Sequence, residues 1–169
     1  PGEDAQFWPR WHLTRIEQLR TGRDAPMAEA ASVESYVAAL RQAAGAIRGR
    51  TAVRALCHGD LHGNNLLVSD KTVTGLDLTE AREKITIYDI ADLFRLDWRH
   101  GFTADGITRA GVSSLAWEAF RAGYKQPFDP EIFEFAMRAR LLMEWLEISE
   151  KRYKTSAAQR RRFDLIAER

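Results

Sequence analysis

The sequence has almost no cysteine, because Cys57 stands alone among 169 residues. A single cysteine excludes intramolecular disulfides as a support for the fold and fits a reducing compartment, so we expect a cytoplasmic protein. Long apolar runs are also lacking, since none approaches the ~18 residues that a membrane span requires. We therefore expect no membrane as a partner of this chain.

An excess of charge of one sign is missing as well. The chain carries 25 Lys and Arg residues against 24 Asp and Glu residues, which leaves a formal net charge of +1. A nucleic-acid-binding protein usually presents a strongly basic face, so we expect no nucleic acid as a partner. Apolar residues make up 45% of the chain, which is enough for a buried core.

The sequence does contain a series of helical patterns around a short β-rich region. Helix-type apolar spacing occurs in 12–20, in 33–47 behind the cap residue Ser32, and in segments that begin at Asp89, Val112, Pro130 and 155. Strand-type composition occurs in 52–57, 66–69 and 72–76, and the last two runs predict a hairpin. We predict an α+β, mainly helical fold with a helical lead-in over 1–51, a β element over 52–78 and a helical subdomain over 79–169.

A polar loop, 57-CHGDLHGNN-65, lies between the first strand and the hairpin. Phosphoryl transfer needs a carboxylate that accepts the proton of the attacking hydroxyl, and oxygen ligands that hold Mg²⁺ against the phosphates. The spacing His58-x-Asp60-x4-Asn65 matches the catalytic loop of kinases. Asp77 follows the hairpin, where the second metal ligand should stand. The order of these residues favours phosphoryl transfer.

Two other interpretations of the loop stay open. Asp60-x-His62 is similar to the opening motif of metallophosphoesterases, although the further His and Asp motifs that complete a two-metal site are missing from the sequence. The loop could also be structural, with its Asp and Asn side chains bonding to neighbouring backbone groups.

The segments 58-HGDLHGNNLLV-68, 75-GLD-77 and 88-YDIA-91 resemble the aminoglycoside phosphotransferase / choline kinase-like family. The resemblance spans residues 52–96 approximately. That family shares the protein-kinase fold and uses ATP and Mg²⁺ to phosphorylate hydroxyl groups of small molecules. The resemblance implies that Asp60 is the catalytic base and that Asn65 and Asp77 are the Mg²⁺ ligands.

Three neighbouring residues receive supporting roles from the same resemblance. Asp89 corresponds to the acid that caps a helix and braces the catalytic loop. His58 is expected to pack beneath the loop. His62 is expected to lie beside the site or close to the substrate.

The features of an ATP-binding lobe are missing, since no Gly-rich loop follows a strand and no strand-borne Lys precedes the polar loop. The resemblance thus implies the C-terminal lobe alone over 1–169. Because the chain begins at Pro1, we expect a piece of a longer protein, with weak nucleotide binding and little activity by itself. The alternative is a non-catalytic, one-lobed binding or regulatory module.

A lobe without its neighbour should expose apolar surface. We expect this surface on the β element and around Phe7, Trp8 and Trp11. Exposed apolar patches bind partners, so we expect contact with the missing N-terminal lobe or self-association.

Overall fold

Helices account for most of the chain that the computed structural model describes, which comprises residues 2–22, 26–99 and 106–168. The helices within these ranges are α1 (Arg10–Arg20), α2 (Ala30–Ile47), α3 (Ile87–Arg99), α4 (Ser114–Gly123), α5 (Pro130–Leu146), α6 (Glu150–Thr155) and α7 (Ala157–Ala167). The strands are β1 (Glu3–Gln6), β2 (Thr51–Cys57), β3 (Leu66–Val68), β4 (Val73–Gly75) and β5 (Arg82–Ile85). The α+β, mainly helical class predicted from the sequence is confirmed.

Helix α5 is the centre of the core. Its buried residues lie on all sides of the helix, and they include Phe133, Phe135, Met137 and Leu141. A helix that is apolar all round must be enclosed by other elements. Helices α1, α2, α3 and α7 all pack against α5. Asp129 starts α5 by accepting hydrogen bonds from two backbone amides of the first turn, and Pro130 occupies the position that proline favours.

Two small antiparallel sheets carry the polar loop. Strand β2 lies between β1 and β5, and β3 pairs with β4 as the predicted hairpin. The polar loop leaves the end of β2 and enters β3 through a short 3₁₀ turn over Gly63–Asn65. A second 3₁₀ turn, Leu78–Glu80, leads from the hairpin to β5. The loop is therefore fixed at both ends by paired strands.

Several secondary-structure predictions are wrong. The lead-in contains β1, and the region expected to be helical after residue 78 begins with β5. Both strands consist largely of charged or polar residues, and pairing with β2 holds them in place. Helix α2 starts before Ser32, with Glu29 at the cap position. Asp89 lies inside the first turn of α3 instead of capping it.

The aromatic segment near the start of the chain divides into exposed and buried residues. Trp8 and Trp11 are 50% and 53% exposed, as expected. Phe7 is fully buried, which contradicts the expectation, because it packs against His12, Tyr88 and Phe135. None of the helices in the described ranges is long and apolar enough to cross a membrane.

His12 is a buried histidine in this aromatic cluster. It is 2% exposed and stacks on Tyr88 with ring centroids 5.2 Å apart. Its Nδ1 atom has no hydrogen-bond partner in the described part of the chain. Burial, together with the positive charge of Arg140, lowers the pKa of His12 to about 3. The imidazole is therefore neutral in the folded protein at ordinary pH.

This burial predicts a pH-dependent stability. Between the ordinary pKa of 6.5 and about 3, the unfolded chain binds a proton at His12 that the folded chain does not, so the stability falls as the pH falls. We expect His12 to account for a loss of roughly 3 kcal/mol in the free energy of unfolding between pH 6.5 and pH 4. Urea denaturation of the wild type and of His12→Leu should show a shallower pH slope for the variant. Equal pH slopes for the wild type and His12→Leu would contradict the assignment of this pH dependence to His12.

Gly59, in the polar loop, approaches the second 3₁₀ turn closely. Its φ is +95°, and a Cβ atom at this position would overlap the carbonyl oxygen of Glu80. We expect Gly59→Ala to lower the free energy of unfolding by about 2 kcal/mol or more, because strain at positive φ adds to the backbone clash. Gly45→Ala is the control, since a Cβ atom there meets nothing within 4 Å. The control should instead gain roughly 0.5–1 kcal/mol. Equal effects of the two changes, measured by urea denaturation, would contradict this account.

Candidate functional site

The polar loop is held from beneath by one carboxylate. Asp89 Oδ2 accepts a hydrogen bond from the backbone N–H of His58 at 2.6 Å, and Asp89 Oδ1 accepts one from the N–H of Gly59 at 3.2 Å. Lys84 Nζ lies 2.6 Å from Asp89 Oδ1 and also donates to the carbonyl of Gly59 at 3.2 Å. Asp89 is buried, so these contacts compensate the loss of its hydration. The structure thus places Asp89 where it fixes the start of the loop.

The loop brings Asp60, His62 and Asn65 together. Asn65 Nδ2 donates to the backbone carbonyl of Asp60 at 2.9 Å and lies 3.4 Å from its Oδ2 atom. His62 Nε2 lies 3.2 Å from the same Oδ2 atom. His62 Nδ1 accepts a hydrogen bond from the N–H of Asn64, so a neutral His62 carries its proton on Nε2 and donates it to Asp60. The Asp60 side chain remains 46% exposed.

The hairpin returns Asp77 to the neighbourhood of the loop. The N–H of Leu76 donates to the carbonyl of Asn65 at 2.8 Å, so Asp77 stands one residue beyond this contact. His58 Nε2 lies 2.7 Å from the carbonyl oxygen of Leu76, which ties the loop to the hairpin. The backbone of Asp77 adopts the left-handed conformation, with φ +57°. This conformation is uncommon for a residue other than glycine and is often found at functional sites.

Asp77 is held in its ionised form. Its Oδ1 atom accepts hydrogen bonds from the Thr79 hydroxyl at 2.7 Å and from the Thr79 N–H at 3.4 Å. These two contacts, with a smaller contribution from His58, hold the pKa of Asp77 below its ordinary value. An ionised carboxylate is a ligand that Mg²⁺ prefers.

The chemistry of the donors fits Mg²⁺ bound partly by a substrate. In the described part of the chain, no cluster of three or more His, Cys, Asp or Glu side chains could hold a metal ion. Mg²⁺ at nucleotide sites usually takes one or two protein oxygen ligands and completes its shell with phosphates and water. Asn65 and Asp77 offer one amide oxygen and one carboxylate.

A cleft of about 460 Å³ opens beside Asp60, between α1, β5, α3 and α5. Its lining includes residues that the sequence did not identify as functional: Trp11, His12, Arg82, Lys84, Tyr88, Asp92 and Arg140. They come from four separate segments, so no local spacing connects them. The sequence carries two related signals: the high charge of the segment that forms β5 marks Arg82 and Lys84, and Tyr88 belongs to the motif 88-YDIA-91.

Comparison with known proteins gives one informative result. A family model described as "Phosphotransferase enzyme family" matches residues 2–131. A sequence search of curated proteins gives no match. The matched range contains the loop, the hairpin, Asp77 and Asp89, and it covers more than half of the chain. The metallophosphoesterase interpretation has no comparable support. The chain therefore belongs to the phosphotransferase enzyme family, as its resemblance to the aminoglycoside phosphotransferase / choline kinase-like group predicts.

Proposed function

We propose that the chain is the C-terminal lobe of an ATP- and Mg²⁺-dependent phosphotransferase that acts on a hydroxyl group of a small molecule. The observation that carries this proposal is the position of Asp60. Its carboxylate is oriented by His62 and Asn65, remains half exposed, and lines a cleft large enough for a small molecule. A general base needs this combination of a fixed position and access to the proton that it takes.

In this mechanism, Asp60 Oδ accepts the proton of the substrate hydroxyl as the hydroxyl oxygen attacks the γ-phosphorus of ATP. The new O–P bond forms while the bond to the β-phosphate oxygen breaks, and ADP leaves. Asn65 and Asp77 would hold Mg²⁺, which neutralises charge on the phosphates when it is bound. His62 keeps the Asp60 carboxylate in place by donating from Nε2.

An exposed apolar surface on the hairpin supports the one-lobe interpretation. Val68 and Val73 are cross-strand partners and are 68% and 66% exposed, and Leu78, in the adjoining 3₁₀ turn, is 62% exposed. Solvent-exposed side chains of this kind in neighbouring positions favour burial against another protein surface. We propose that the ATP-binding N-terminal lobe covers this surface, with self-association as the alternative.

One prediction from this proposal concerns the base and the metal ligand in the two-lobed protein. We expect Asp60→Ala to lower the rate of ADP formation by about 10²–10⁴-fold with only a modest loss of ATP affinity, because it removes the general base. We expect Asp77→Ala to abolish the effect of Mg²⁺ on ATP affinity, measured by calorimetry with and without the ion. Asp70→Ala is the matched control, since Asp70 is an exposed acid in the turn between β3 and β4. A near-normal rate for Asp60→Ala would disprove its assignment.

Another prediction from this proposal concerns the activity of the chain alone. Phosphoryl transfer depends on positioning and charge stabilisation, and a single lobe lacks the phosphate contacts that the other lobe of a kinase supplies. We expect the isolated chain to turn over far more slowly than the ~1–100 s⁻¹ of ordinary kinases. Coupled detection of ADP with a panel of basic, neutral and acidic alcohols measures this rate. A rate within that range would contradict the one-lobe proposal.

A further inference from the structure

The cleft beside Asp60 has an aromatic wall. Trp11 and Tyr88 meet edge to face with ring centroids 5.9 Å apart, and His12 contacts both rings. Trp11 packs against His12 and Tyr88, and about half of its side chain remains exposed to solvent. The neutral state of His12 means that the wall carries no charge at ordinary pH. Such a surface suits a flat or ring-shaped apolar group.

The rest of the lining includes three basic side chains, Arg82, Lys84 and Arg140. Arg82 pairs with Glu80 at 2.8 Å, but both side chains are exposed, so this pair is easily exchanged for another partner. Arg140 pairs with Asp92, and its side chain stays 23% exposed. Lys84 uses two contacts to hold the loop. Arg82 and Arg140 therefore retain capacity for an anion.

Carboxylates are scarce in the same lining. Among the lining residues that the structure describes, Asp60 and Asp92 are the two acids. Asp92 is buried and paired with both Arg95 and Arg140, so it has little capacity for a cationic ligand. An ammonium group in the cleft would meet Asp60 as its one accessible acid, because the other nearby carboxylates are already paired with Arg82, Lys84 and Arg140. The lining thus disfavours a polyamine.

From this arrangement we infer that the phosphate acceptor is a hydroxylated ring compound with a carboxylate group. The ring packs on Trp11 and Tyr88, the carboxylate binds Arg82 and Arg140, and the hydroxyl reaches Asp60. The inference rests on the proposed phosphotransfer, because it identifies the cleft as the acceptor site. It goes further in naming the charge and the shape of the acceptor.

Two matched probes test the inference on the chain alone, without ATP or Mg²⁺. 4-(Hydroxymethyl)benzoate and 4-(hydroxymethyl)benzylamine share a ring and an alcohol and differ in the sign of their charge. Titration calorimetry or ligand-observed NMR should give an affinity on the order of tenfold higher for the benzoate, as a charge-assisted hydrogen bond provides. Equal affinities, tighter binding of the amine, or binding of neither probe would overturn the inference.

Matched variants locate the bound probe. Arg82→Gln should weaken the benzoate on the order of tenfold, and Arg54→Gln should leave it unchanged. Arg54 lies on the neighbouring strand in similar exposed ion pairs but does not line the cleft. Trp11→Leu should weaken both probes, whereas Trp8→Leu, a change at a similarly exposed tryptophan outside the cleft lining, should weaken neither. Equal effects of the cleft variants and their controls would also overturn the inference.

The binding of the two probes and the transfer of phosphate by the two-lobed protein can succeed or fail independently. If the benzoate binds as expected but the two-lobed protein transfers no phosphate to any alcohol, the phosphotransfer proposal fails. If Asp60-dependent transfer is observed but the amine binds more tightly, the acceptor inference fails and the proposed function stands.

Discussion

The buried carboxylate of Asp89 is the interaction on which the candidate site depends. It accepts hydrogen bonds from the backbone N–H groups of two consecutive loop residues and forms an ion pair with Lys84. Lys84 also donates a hydrogen bond to the carbonyl of Gly59. A buried carboxylate without these partners would be strongly destabilising, so the loop and the carboxylate stabilise each other. The loop consequently leaves β2 in one direction and presents Asp60 to the cleft. Gly59 permits this path because its positive φ and close approach to Glu80 exclude a side chain.

The same small region links the fold to the chemistry that we propose. Strand β5 contributes both Lys84, which supports the loop, and Arg82, which lines the cleft. Helix α3 contributes Asp89 to the loop, and Tyr88 and Asp92 to the cleft. A change in the packing of α3 would therefore alter the position of Asp60 and the shape of the cleft together. This coupling fits an enzyme in which positioning provides most of the catalysis.

The sequence predicted the local features well and the distant ones poorly. The hairpin and the start of α5 were predictable because turn and cap residues act within a few positions. The grouping of Asp60, His62 and Asn65 was predictable because the three residues lie within one short loop. Strands β1 and β5 were not predicted, because their charged residues lack the apolar alternation that indicates a strand. Pairing with β2 is what holds them in the extended conformation. The cleft lining was also missed, because Trp11, Arg82 and Arg140 meet only in the folded chain.

The proposal depends most on Asn65 and Asp77, whose oxygen atoms would hold Mg²⁺ and so supply positive charge to the phosphates. Paramagnetic broadening of amide NMR signals by Mn²⁺ with ATP, in place of Mg²⁺, tests this claim most directly on the chain itself. The account predicts that the signals of Asn65, Leu76 and Asp77 broaden first, at metal concentrations that leave exposed acids such as Glu118 unaffected. Broadening that begins at scattered surface carboxylates and spares Asn65 and Asp77 would contradict it.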